Sequence, residues 1–142
     1  NSKDKIPNLE GKNILVVEDN DINMEIIVSV LERTGATISQ AWNAEDAVKI
    51  FEESEDGFFD LLLFDIQLPG MNGYEGVKII RSMDRKDVSE LPIFAMTANA
   101  FEDDKKQALQ VGMNEHISKP IDIDKMLKTM WYVIRDYKGS GI

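Results

Sequence analysis

Five residues scattered through the chain have side chains that together suit phosphoryl chemistry: Glu18, Asp19, Asp65, Thr97 and Lys119. Glu18 and Asp19 follow the run Ile14-Leu15-Val16-Val17, and Asp65 follows Leu61-Leu62-Leu63-Phe64. Thr97 follows Ile93-Phe94-Ala95-Met96, and Lys119 follows Glu115 to Ser118. Three carboxylates gathered within a few ångströms repel by about 4 kcal/mol per close pair at an effective dielectric near 20. A divalent cation with oxygen ligands, Mg2+ or Mn2+, relieves that repulsion, and Mg2+ commonly keeps waters in reserve for a phosphate. It also screens an incoming phosphoryl dianion and neutralises charge in the transition state. Asp65, rigid at the end of the most apolar run, can then act as a nucleophile and form an acyl phosphate. Lys119 supplies a compact cation for a phosphoryl oxygen, Thr97 a hydroxyl donor, and the backbone carbonyl near Gln67 a further metal ligand.

Singly, each of these residues has an ordinary explanation. Acids after strands are common turn residues and caps, and a lone Lys or Thr there is most often a surface residue. What gives them meaning is the scaffold. Ile14–Val17 reads as a strand covered on both faces. Asn20 can cap a helix in which Ile22, Ile26, Ile27, Val30 and Leu31 recur at helical spacing until Gly35. Ala36–Gln40 reads as a second strand and Ala44–Ser54 as a helix with Ala47, Val48 and Phe51 inward. Leu61–Phe64 is the third strand, and Tyr74, Val77, Ile79 and Ile80 mark the third helix after the Pro69-Gly70 turn. Ile93–Met96, a helix over Phe101–Val111 closed by Gly112, a short strand Glu115–Ser118, and a last helix with the stripe Met126, Leu127, Met130, Trp131, Ile134 complete the series.

Five strands alternating with five helices predict an α/β fold, a doubly wound parallel sheet with helices on both faces. The expected strand order is 2-1-3-4-5, a flavodoxin-like three-layer sandwich, in which ligands bind beside the reversal at the carboxyl ends of the strands. Those are the positions that the five residues occupy.

Bulk properties narrow the classes. The 142 residues carry 16 Lys plus Arg against 26 Asp plus Glu, a net charge of −10. Such a balance argues against nucleic-acid binding and direct membrane contact, both of which favour basic patches. With no cysteine, disulfides, zinc–thiolate sites and thiol nucleophiles are excluded, as a cytoplasmic setting allows. No apolar run approaches the roughly 18 residues of a membrane span; whether a longer parent protein is membrane-anchored is a separate matter. Residues 1–11 read as linker, 12–136 as one domain and 137–142 as a flexible tail.

Four stretches carry a family likeness: Ile14–Asn20, Leu63–Gly73, Met96–Ala100 and Gly112–Pro120. Across roughly residues 12–136 the chain resembles response-regulator receiver domains of two-component systems. The resemblance implies that Asp65 is the phosphoacceptor, with Glu18 and Asp19 as the acidic pair and Gln67 giving its backbone carbonyl to the metal. Thr97, followed by Ala98, would be the switch hydroxyl, and Lys119 the phosphate-contacting lysine, placed by a cis Lys119–Pro120 bond. Gln67 and Asn99 stand where the family tunes the lifetime of the phosphoryl group. The switch aromatic, usually Tyr or Phe, is here His116, whose other reading is a partly exposed strand residue. Asn23 after Glu-Asp-Asn, Met-Thr-Ala-Asn-Ala and His-Ile-Ser-Lys-Pro resemble receivers fused to hybrid sensor histidine kinases more than stand-alone regulators. The partners so implied are a kinase dimerisation and phosphotransfer domain or a histidine phosphotransfer protein, docking near Ile22, Asn23 and Ile26.

Three other readings compete. A flavodoxin-like cofactor binder needs a Gly/Ser/Thr-rich first loop to cradle phosphate, whereas Glu18-Asp19-Asn20-Asp21 would repel one. A phosphatase using an aspartyl phosphate would resemble a pattern with a second acid two residues after the nucleophile; Gln67 stands there, so the expected turnover is slow self-dephosphorylation. A degenerate docking-only receiver would lack some of the chemical groups, and none is missing.

Overall fold

Alternation within three apolar strands decides the layers. The computed structural model describes residues 6–98 and 102–136. Its sheet comprises β1 (Asn13–Val17), β2 (Thr37–Ala41), β3 (Leu61–Asp65), β4 (Ile93–Thr97) and β5 (Glu115–Ser118), all parallel, in the order β2-β1-β3-β4-β5. Successive strand side chains point to opposite faces. Leu15, Val17, Leu62, Phe64, Ile93 and Ala95 accordingly join a core with α2 (Ala44–Glu53), α3 (Gly73–Arg81) and α4 (Glu102–Val111). Ile14, Val16, Leu61, Leu63, Phe94 and Met96 face α1 (Asp21–Glu32) and α5 (Ile123–Asp136). The result is the expected flavodoxin-like three-layer sandwich.

Asparagine starts the first three helices. The side chains of Asn20, Asn43 and Asn72 accept hydrogen bonds from the backbone N–H groups of Asn23, Asp46 and Glu75, satisfying donors that have no partner within the helix. Gly35, at φ +90°, turns the chain out of α1 in a conformation that disfavours a side chain.

Several sequence readings need adjustment. The second strand lies one residue later than expected. Of the apolar residues that mark the helices by spacing, Ile79 and Trp131 are exposed; Ile22 and Ile26, the residues of the expected docking face, are 68% and 49% accessible. The packed unit begins before residue 12: Leu9, within the expected linker, is 1% exposed in the α1–α5 core. Its N–H donates to the Thr34 carbonyl at 2.8 Å, and its carbonyl accepts from the Lys12 N–H at 3.0 Å. One buried leucine among polar neighbours leaves no periodic trace, which is why a linker reading suits that stretch from sequence.

A polar assembly that the sequence did not announce fastens the amino ends of the strands. Arg85 donates to the Phe51, Ser54 and Glu55 carbonyls at 2.6, 2.9 and 2.8 Å, so it caps the carboxyl end of α2. It also grips Asp87 in a two-bond fork at 3.0 and 2.8 Å and lies 4.2 Å from the Phe51 ring centre. Asp87 opens a short 3-10 turn, Asp87–Ser89. Arg81 likewise ties α3 to the Gly112 carbonyl, the Val88 carbonyl and the Asn114 side chain.

Candidate phosphoryl-transfer site

At the carboxyl ends of the central strands, the first acid is fixed by the sheet itself. The Glu18 N–H continues the β1 ladder to the Ala41 carbonyl at 3.1 Å, and its Oε2 accepts from the Asn20 N–H at 3.1 Å. Its side chain is fully buried, whereas Asp19, one residue on, is exposed. Asp65 ends β3 at 1% exposure, and its Oδ1 accepts from the Gln67 N–H at 3.0 Å. Carboxylate oxygens of Glu18, Asp19 and Asp65 lie within 4.8 Å of one another. Lys119, beyond β5, places Nζ 3.0 Å from Asp65 Oδ2 and 2.9 Å from Glu18 Oε1. The peptide bond between Lys119 and Pro120 is cis.

These four groups give the cleft its character. Three carboxylates against one ammonium leave two formal negative charges in a partly dehydrated site. Burial is the largest single influence on Lys119 and works against its charge. Hydrogen bonds and charges from Glu18 and Asp65 together outweigh it, so the ammonium stays protonated to higher pH than usual. The donor set fits a hard divalent cation: all oxygen, close-set, and two positive charges short of balance.

The remaining predicted residues are arranged around this cleft. Thr97 is buried at the end of β4, and its carbonyl accepts from the Lys119 N–H at 2.8 Å, which joins the two strand ends. Ala98 follows, exposed, and Asn99 lies outside the described residues. Gln67 is exposed in the loop after β3. His116 is half-buried on β5, in register with Ala95 of β4. Beside the cleft, α1 and the start of α5 enclose a groove of about 300 Å3, lined by Asn23, Ile26, Val30, Pro120, Ile121 and Ile123 among others. Among the described residues, the cleft brings together the charged side chains of Glu18, Asp19, Asp65 and Lys119 that the sequence points to, but sequence alone does not indicate the ammonium's second partner. Lys119 was read as meeting phosphate, and its contact with Glu18 follows from burial that sequence does not display.

The family model of the response regulator receiver domain matches residues 14–130. The chain belongs to that family. Among relatives, the receiver domain is 32% identical to histidine kinase 1 of Arabidopsis thaliana over 86% of its length and 39% identical to the hybrid signal transduction protein dokA of Dictyostelium discoideum over 84%. It spans 13% and 7% of those two proteins. Among solved structures it is similar to the receiver domain of the sensor histidine kinase PA1611 from Pseudomonas aeruginosa PAO1, in which a magnesium ion is coordinated in the active site cleft. That match has a TM-score of 0.77 and 31% identity, covering 87% of this chain and 98% of the other. It is also similar to the receiver domain of Ssk1 from Saccharomyces cerevisiae, crystallised with the histidine phosphotransfer protein Ypd1. Here the TM-score is 0.74 and the identity 31%, covering 89% and 88% of the two chains. The receiver domain thus works in two-component phosphorelay signalling. None of its described helices is long and apolar enough to cross a membrane.

Proposed function

We propose that Asp65 accepts a phosphoryl group from a phosphohistidine, with Glu18, Asp19, Asp65 and the Gln67 carbonyl holding Mg2+ or Mn2+. The observation that carries this reading is the meeting of Glu18, Asp19 and Asp65 with Lys119 as counter-charge. When bound, the cation supplies charge neutralisation for the transferring group. Asp65 attacks phosphorus; a P–O bond forms, the P–N bond to the donor imidazole breaks, and the freed imidazole takes its proton from solvent. Lys119 then moves its hydrogen bond from carboxylate to a phosphoryl oxygen, and the Thr97 hydroxyl donates to another. His116 follows Thr97, biasing the surface of β4, β5 and α5 between two states. Gln67 cannot act as an acid or base, so water attacks the product slowly; Gln67 and Asn99 set its lifetime.

The donor is a kinase dimerisation and phosphotransfer domain or a histidine phosphotransfer protein. It docks on the exposed Ile22 and Ile26 of α1 and the adjoining groove, a reading supported by the likeness to a receiver that co-crystallises with such a protein. The likeness to histidine kinase 1 and to the hybrid signal transduction protein dokA supports a hybrid sensor histidine kinase as the parent.

Acetyl phosphate with Mg2+ tests the acceptor directly. Intact-mass measurement should show one added phosphoryl group of about 80 Da, absent in Asp65→Asn. An unchanged mass in the unsubstituted protein would overturn the assignment.

A further inference from the structure

Gly73 is the first residue of α3, eight positions after the acceptor. A Cβ built there would collide with the Asp65 carbonyl oxygen and lie 2.8 Å from Ile66 Cα, closer than real Cβ atoms approach. Both neighbours are backbone, so neither can yield by a rotamer change. The Gly73 N–H donates to the Ile66 carbonyl at 3.0 Å, and that carbonyl also accepts from the Leu68 N–H at 3.2 Å. Inside the loop so closed, the Gln67 N–H holds Asp65 Oδ1. The start of α3 therefore rests on the same backbone that carries the Asp65 carboxylate and the Gln67 amide.

We infer that Gly73 is a positioning residue for the metal: the absence of a side chain at this point sets the loop 66–72 in the register that the divalent cation requires. The inference rests on the proposed metal site and specifies what holds it in shape. A side chain at position 73 must push α3 away from β3 or lift the loop. Either movement shifts the Gln67 N–H from Asp65 and moves the Gln67 carbonyl, so the oxygen ligands no longer converge. Gly76, one turn later on α3, provides the contrast. A Cβ there meets Phe64 Cζ at 2.8 Å and Ala44 Cβ at 3.2 Å, in the core and away from the loop.

The test measures Mg2+ affinity alone, by calorimetry, for the unsubstituted protein, Gly73→Ala, Gly76→Ala and Asp65→Asn, below the melting temperature of each. Gly73→Ala should bind Mg2+ about ten- to a hundredfold more weakly, the range for lost supporting contacts around a metal. Gly76→Ala should lower the melting temperature yet retain the affinity. Equal affinity in Gly73→Ala and the unsubstituted protein would overturn the inference, and so would equal losses in the two glycine variants. Failure of the unsubstituted protein to bind Mg2+, or unchanged binding by Asp65→Asn, would instead remove the metal site itself. Should Gly73→Ala not fold, amide resonances of the unsubstituted protein decide. The Gln67, Leu68 and Gly73 N–H signals should shift with one common Mg2+ midpoint, and a silent Gly73 overturns the inference.

Discussion

Lys119 Nζ stands 3.0 Å from Asp65 Oδ2, inside hydrogen-bond range before any phosphoryl group arrives. The same ammonium touches Glu18, so it is the internal counter-ion of a cleft that remains two charges negative. Metal-free protein therefore stores repulsion at this edge of the sheet, and the exposed member of the trio is the one that can be neutralised with least harm to packing.

Asp19→Asn should accordingly raise the melting temperature of the metal-free protein. For an exposed group in water-rich surroundings the relief is on the order of 1 kcal/mol, or about 3 °C for a domain of this size. The gain should shrink as salt is added, and Mg2+ should stabilise the variant less than the unsubstituted protein. Thermal melts with and without Mg2+ check both signs; a lower metal-free melting temperature would show that repulsion does not govern the cleft.

The Arg85–Asp87 pair predicts an acid limb of stability. Burial, the largest influence, raises the Asp87 value, but the Arg85 hydrogen bond, the Gly57 N–H, the Arg85 charge and Asp56 together bring it below the ordinary 3.8. A depressed carboxyl stabilises the fold fully well above pH 3.8, and that contribution is lost as pH falls through the folded value. Lys119 has the opposite sign: its raised value stabilises below 10.5 and the contribution disappears as pH rises through the folded value. Arg85→Ala should cost about 3 kcal/mol, since it strands a buried charge and the α2 carbonyls, and should flatten the acid limb alone. Denaturant melts across pH would refute this if the alkaline limb changed equally.

On the proposed docking surface, Ile26→Glu should slow transfer from a phosphohistidine donor about tenfold or more, the scale of a central apolar contact. Labelling by acetyl phosphate should fall much less. Comparing the two donors on one preparation separates docking from chemistry; equal slowing with both would place Ile26 in the chemistry instead.

Leu9→Ala should destabilise the fold by about 2 kcal/mol, the low end for a buried leucine whose neighbours settle into part of the gap. Ile6→Ala, at an exposed position, should stay within about 0.5 kcal/mol. Chemical denaturation of both variants measures the difference, and equal effects would mean that Leu9 contributes nothing to cohesion in solution.

The sheet was legible because β1, β3 and β4 are continuous apolar runs, which only burial on both faces explains. The cleft was legible for a related reason: once strand order follows from alternation, the residues after each strand must meet. Helix faces are less legible from spacing, as the exposed Ile79 and Trp131 show. Ile22 and Ile26 share the spacing of Ile27 and Leu31, and spacing alone does not tell a core stripe from an apolar surface beside it. Arg85, Asp87 and Leu9 were invisible because their partners are backbone carbonyls or distant side chains, which leave no pattern along the chain.

The guanidinium groups of Arg81 and Arg85 sit at the end of the sheet opposite Asp65. Fastening and chemistry are thereby placed on different ends of one molecule. Residues around the mouth of the cleft can therefore be exchanged without loosening the foundation beneath it.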